Sequence, residues 1–291
     1  MALSSRRRRT ITLSVALAAA VTLAACGAGK KNDNKSSGAA ASGGASSGAP
    51  AGGKPVTIGT TDTVTALDPA GSYDFGSLTV ETNIYQFLMN VPAGGKEPKP
   101  DAAKSCGFST PTTYKCVLQP NLKFSNGHDL TAADVVFTFQ RIGKINDPNG
   151  PGSLIANMKS VAAEGDDTVV FTLNNPNDQT WPFVLGTSAG PIVDSQVFPA
   201  DKLLPDAQVV GSGPYVIASY QKNQLNQFKA SPTYTGPNKP KTSQITMKYY
   251  TTSDNMKLDV QSGGIDIAYR TMSPTDIDSL KKDSNVKVLT G

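Results

Sequence analysis

From residue 55 onward, short β-branched runs alternate with amphipathic stretches, and each pattern predicts an element. Val56-Thr57-Ile58-Gly59-Thr60 alternates as a first strand. Thr61 to Gly76 is a loop rich in turn residues. Ser77 then reads as the cap of a helix with Leu78, Tyr85, Leu88 and Met89 on one face, and Pro92 to Pro100 breaks the pattern. Tyr114, Cys116 and Leu118 alternate with Lys115, Val117 and Gln119 as in a half-buried strand, and Asn121 to Gly127 predicts a short strand ending in a tight turn. Thr131-Ala132-Ala133-Asp134 has capping-box spacing and opens a helix whose Val135, Phe139 and Ile142 form a core stripe. After the loop Asp147 to Gly152, the turn Gly165-Asp166-Asp167 leads into a strand, Thr168 to Leu173.

The later pattern predicts a short helix around Trp181 to Leu185, a strand-like Pro191-Ile192-Val193, and a hairpin from Val209–Tyr220 and Leu225–Ala230. A strand Ile245 to Tyr250 precedes a helix from Asp254 to Ser262, which Gly263-Gly264 closes in the left-handed conformation. A buried strand Ile265 to Ala268 follows. Ser273-Pro274-Thr275-Asp276 opens one more helix, and Val286 to Leu289 begins a strand. No repeat is visible. The fold class expected is α/β or mixed α+β, with more than one subdomain.

The first 54 residues follow different rules. Arg6 to Arg9 form a positive start, Ile11 to Ala20 an apolar core, and Leu23-Ala24-Ala25-Cys26 closes the segment. This is the order of a secretory signal peptide, and its apolar run is shorter than the about 20 residues that span a bilayer. Leu-Ala-Ala-Cys resembles the lipobox of bacterial lipoproteins, in which Cys26 becomes the lipidated, membrane-anchored N-terminus; an ordinary signal peptide containing a cysteine is the alternative. Arg8-Arg9-Thr10-Ile11 partly matches a twin-arginine signal, so both export routes stay open. Residues 27–54 are mainly Gly, Ala, Ser, Lys and Asn, a flexible tether with nothing to bury.

Charge changes meaning once the leader is set aside. The net +4 arises from four arginines in residues 1–25; removing them from 27 basic residues leaves 23, against 23 acidic ones. The remainder is neutral, which argues against a nucleic-acid partner. With Cys26 assigned to lipid, Cys106 and Cys116 remain as an even pair in an exported chain, placed on either side of a turn where cross-strand cysteines can meet in a disulfide; two buried thiols are the alternative.

Catalytic chemistry finds little support. His128 is the one histidine and precedes a helix cap, which argues against both a multi-imidazole metal site and a Ser-His-acid triad. Outside the Gly/Ala/Ser tether there is no Gly-x-Ser-x-Gly elbow, and there is no phosphate loop. Gly211-x-Gly213 runs into proline and a strand, the context of a turn rather than of a dinucleotide site. Asp129 and Asp134 are not read as a catalytic pair, because Asp134 serves better as a cap.

Four stretches, in order, resemble the extracytoplasmic solute-binding proteins of dipeptide, oligopeptide and nickel ABC importers. Leu118 to Phe139, with Lys123-Phe124-Ser125-Asn126-Gly127 and the capped helix, is the most specific. Pro100-Asp101-Ala102-Ala103 is a weaker match lacking the usual leucine and tryptophan. Val210-Gly211-Ser212-Gly213-Pro214-Tyr215 resembles the glycine-threonine-glycine-proline-tyrosine turn, and Gln261 to Ala268 resembles the glycine-x-isoleucine-aspartate region.

The resemblance implies a two-lobe fold closing on its ligand. Residues 55–86 and 180–270 would form a discontinuous first lobe, 87–179 an accessory subdomain, and 271–291 the start of a second lobe otherwise missing here. It also implies a monomeric receptor on the outer face of the cell membrane, needing no cofactor, that hands an oligopeptide-like solute to a permease. The family also takes nickel chelates, sugars and other solutes. A non-transporting surface or signalling lipoprotein, or an inactive fragment, is the alternative. Loops at strand ends face the cleft in such folds, so Thr61, Asp62, Tyr73, Asp74 and Phe75 are the candidate ligand residues. For Trp181 two readings stand, a cleft-lining ring and a core residue.

Overall fold

The computed structural model describes residues 53–289; the leader, Cys26 and the tether up to residue 52 lie outside them. β1 (Val56–Thr60) leads through a loop to α1 (Phe75–Ile84), followed by the two-residue strands β2 (Met89–Asn90) and β3 (Lys99–Pro100). β4 (Ala103–Thr110), β5 (Thr113–Leu118), α2 (Ala132–Ile145), β6 (Met158–Glu164) and β7 (Thr168–Leu173) come next, then α3 (Trp181–Val184). β8 (Tyr215–Gln221), β9 (Leu225–Ala230), β10 (Gln244–Tyr249), α4 (Ser253–Ser262), β11 (Ile267–Ala268) and α5 (Pro274–Leu280) complete the order. This is a mixed α/β fold. Among the described residues, no helix is long and apolar enough to cross a membrane.

Two larger sheets organise it. The first runs β11-β1-β10-β9-β8, with β1 parallel to both β10 and β11 and the other pairs antiparallel. Parallel strands need cover on both faces. α1 contributes Val80 and Ile84 to a core with Phe228, Met247 and Tyr215 on one face. On the other, Gly59 leaves room for Met256 of α4 and for Ile265, which a Cβ at that position would strike.

The second sheet, β4-β5-β7-β6, is antiparallel and lies under α2. The expected stripe Val135, Phe139 and Ile142 is fully buried there. Phe139, Phe171 and Trp181 stack edge-on or tilted, with centroids 4.9 to 6.4 Å apart. Cys106 and Cys116 are direct cross-strand partners and form a disulfide. Asp134 closes the first turn of α2 by accepting from the Thr131 N–H at 2.9 Å, and its other oxygen takes the Ser195 N–H and hydroxyl. Both carboxylate oxygens are thus committed to structure.

Several local expectations are corrected. The cap of α1 is Asp74, so the helix starts at Phe75 and Ser77 is its third residue. That helix ends at Ile84, so Leu88 and Met89 are buried by the segment after it rather than by a helical face. Asn121–Gly127 is irregular apart from one bridge, Lys123 to Asp129. Pro191–Val193 is buried without strand pairing, and the Val193 N–H bonds the Thr138 hydroxyl instead. Only Ile267–Ala268 of the predicted 265–268 strand pairs, at the sheet edge. Val286–Leu289 forms no strand, and Leu289 is exposed.

One buried acid sets a pH dependence. Asp101 accepts from the Phe87 N–H through Oδ2, while its Oδ1 has no partner. Burial pushes its carboxyl up to about 6, with hydrogen bonding opposing the rise. Because the folded value is raised, the native state gains by binding the proton. That stabilisation is complete below the ordinary carboxylate range and is lost as pH rises through about 6. Burial drives Glu81 the same way. Asp101→Asn is therefore expected to stabilise the protein at pH 8 relative to pH 5, by about 1.4 kcal/mol in thermal unfolding at the two pH values. Equal effects at both would contradict this.

Candidate functional site

Parallel pairing brings three strand ends together. β1 ends at Thr60, β10 at Tyr249 and β11 at Ala268, all at the same edge of the sheet. Carboxyl ends of parallel strands are where α/β folds place ligands, because the loops that leave them converge. The loop from Thr61 to Asp74 is held by the elements around it. The Asp62 N–H donates to the Thr60 hydroxyl, the Val64 N–H to Asn223 Oδ1, and the Thr65 N–H to the Ser77 hydroxyl.

Of the sequence-predicted residues, three meet here. The Thr61 hydroxyl hydrogen-bonds the Thr271 hydroxyl. Asp62 Oδ2 lies 3.5 Å from Arg270 Nε, an ionic contact too long to be a good hydrogen bond. The Arg270 guanidinium sits over the Phe75 ring, 4.0 Å from its centroid. Phe75, the first residue of α1, and Tyr73 in the loop before it are 56% and 55% exposed, a large apolar surface for two aromatic side chains. Asp74 is adjacent but spent: its two oxygens accept from the Ser77 N–H at 2.8 Å and hydroxyl at 2.7 Å. Trp181 is elsewhere, fully buried in the core beneath the second sheet, which leaves no surface to meet a solute.

Residues that sequence reasoning missed complete the site. Tyr249 is pushed up to about 12, mainly by burial; a hydrogen bond from Asn226 Nδ2 at 2.9 Å opposes the rise and the Asp62 charge adds to it. Asn226 is fully buried with its Oδ1 unpartnered, as is Asp62 Oδ2. Arg270 and Thr271 both adopt left-handed backbone, with φ of 61° and 56°. For an arginine, and more so for a β-branched threonine, that conformation is unfavourable and marks a position held by its surroundings. The one sequence signal was their place directly after the Ile265-Asp266 motif; nothing in an Arg-Thr pair announces positive φ.

His128 lies outside this cluster. Its Nδ1 is 2.8 Å from buried Asp194, which also accepts from Asn126 Nδ2, so the turn before α2 is a small structural network.

The sequence matches the bacterial extracellular solute-binding proteins, family 5 Middle, over residues 97–291. The chain belongs to this family. A relative, the probable D,D-dipeptide-binding periplasmic protein DdpA of Escherichia coli (strain K12), is 28% identical over 245 residues, covering 80% of this chain and 46% of its own length. Oligopeptide-binding protein AppA of Bacillus subtilis (strain 168) is 27% identical over 299 residues, 98% of this chain and 52% of its own. The solved structure of AppA in complex with a nonapeptide superposes with a TM-score of 0.70 at 24% identity, over 82% of this chain and 48% of that one. The substrate-binding protein CtaP of Listeria monocytogenes gives 0.66 at 27% identity, over 80% and 47%. This family 5 chain thus spans about half the length of the relatives it matches.

Proposed function

We propose that the protein is a receptor subunit of an ABC importer, anchored outside the membrane through lipidated Cys26, that binds oligopeptide-like solutes for a permease. The observation that carries the ligand class is the cluster at the parallel strand ends, where exposed Phe75 stands beside Arg270 and Asp62, with exposed Tyr73 two residues before it in the chain. Flat aromatic surface next to one acid and one base suits a flexible chain with an amide backbone and charged ends. Names of relatives that bind a D,D-dipeptide or oligopeptides support the same class.

The division into lobes is part of the proposal. The five-stranded sheet draws on residues 56–60 and 215–268, while 103–173 supplies a separate sheet, as expected of a discontinuous lobe with an insertion. Contacts at Thr61–Phe75 and Arg270 are then one wall of the binding site. Closure of a facing lobe would select the bound state through its differential affinity.

One preparation tests both parts. Processed chain from bacterial membranes is expected in the detergent phase, and short peptides are expected to raise its melting temperature by several degrees. Ligand at a hundred times Kd contributes about 2.7 kcal/mol. A mixed library of two- to nine-residue peptides that leaves the melting temperature unchanged would remove peptides as the ligand class.

A further inference from the structure

Arg270 is held unlike any other base in the described chain. The Tyr269 N–H is bonded to the Gly59 carbonyl at 2.8 Å, and residues 270 and 271 then turn through two consecutive left-handed conformations. The hydroxyl bond from Thr271 to Thr61 secures the far side of that turn. The side chain leaves this strained segment to lie over the Phe75 ring, with Nε 3.5 Å from Asp62. One ring face and one edge of the guanidinium are therefore occupied.

The remaining edge is not. Among the described residues, neither Nη atom of Arg270 has a hydrogen-bond partner, and the side chain is 36% exposed. A guanidinium offers its donors in a planar fork matched to a carboxylate, and it loses least entropy when its plane is already fixed. Backbone strain sustained at such a position is common where a ligand is clamped. Asp62 contributes orientation rather than saturation, because its 3.5 Å contact leaves the terminal nitrogens uncommitted.

We propose that Arg270 is a specificity-determining residue that receives a carboxylate of the bound solute through its two Nη atoms, with Phe75 and Asp62 holding the fork in place. The inference rests on the solute-receptor reading above and sharpens it to ligands carrying a carboxylate. In a peptide that group is either the C-terminus or an acidic side chain, and the two arms below separate them.

The test compares wild type with Arg270→Gln and with Arg270→Lys, which keeps the charge but not the fork. Each is titrated with a peptide as free acid and as C-terminal amide, and with amides that contain or lack glutamate. Losing a charge-assisted bidentate contact is expected to weaken binding roughly 10- to 100-fold. Wild type should prefer the carboxylate form by that factor, Arg270→Gln should bind both forms alike, and Arg270→Lys should fall between. A free-acid preference identifies the C-terminus, and a glutamate preference identifies the side chain. Persistence of the preference in Arg270→Gln overturns the proposal while leaving peptide binding intact.

A second measurement does not need a peptide. N-acetylglycine is expected to move the Arg270 Nε–Hε resonance of the ¹⁵N-labelled protein, and N-acetylglycinamide is not. If no peptide binds but the acid still moves that resonance, the carboxylate seat stands and the peptide reading falls. If neither compound moves it, the seat falls.

Discussion

Arg141→Leu is expected to cost about 3–5 kcal/mol of stability, the penalty for leaving a buried charge without its partner. Arg141 on α2 and Asp68 in the loop before α1 are both inaccessible to solvent. Two N–H groups of the guanidinium reach the two carboxylate oxygens at 2.7 and 2.5 Å, and two more bond the carbonyls of Pro199 and Lys202. Asp68 also accepts from the Leu204 and Ala70 N–H groups. One side chain thus ties the helix over the second sheet to the loop before α1 and to residues 199–202. Leucine would strand the aspartate and two carbonyls together. Adding Asp68→Asn removes the stranded charge and is expected to restore part of the loss, so a double-mutant cycle by urea unfolding should show strong coupling. A single-variant cost below about 1 kcal/mol would mean the pair does not anchor α2 to those loops.

Gly211→Ala is expected to be as damaging for a different reason. A Cβ there would sit 1.8 Å from the Ile84 carbonyl oxygen, backbone that cannot swing aside as a side chain would. Gly213 is pressed against the same helix end, with Asn83, Ile84 and Tyr85 backbone within 2.7 Å of its would-be Cβ, and its N–H bonds the Ile84 carbonyl. Overpacking of this kind costs about 1–3 kcal/mol and sometimes more; displacement of α1 places Gly211→Ala at about 3 kcal/mol or above. Gly143 gives the contrast. It is exposed within α2 with nothing near its would-be Cβ, so Gly143→Ala should stabilise by about 0.5–1 kcal/mol. Thermal unfolding of the two variants side by side separates steric contact from a general intolerance of substitution.

What was legible in the sequence was what is decided locally. Thr131 with Asp134, Gly263 in its left-handed cap and Ser273 before Pro274 each act within one helical turn, and each is found where its residue type placed it. The cystine is legible for a similar reason, since its two halves flank one hairpin turn. Asp74 and Ser77 are both competent caps three residues apart, and Asp74 is the one that caps, accepting from the Ser77 N–H. Strand predictions failed where a partner was needed that local pattern does not supply, as at Pro191–Val193 and Val286–Leu289. At the candidate site the loop from Thr61 to Phe75 was readable as a strand-end loop. Its counterpart was not, because Arg270 reaches Asp62 only through the parallel pairing of β11 with β1, two segments about 210 residues apart.

Solute is expected to bind at the carboxyl ends of β1, β10 and β11. Amide hydrogen exchange with and without a stabilising peptide tests it most directly. Slowed exchange in residues 61–75 and 269–271, with β4 to β7 unchanged, is the predicted result. Protection confined to the four-stranded sheet, or to segments away from those strand ends, would contradict the account.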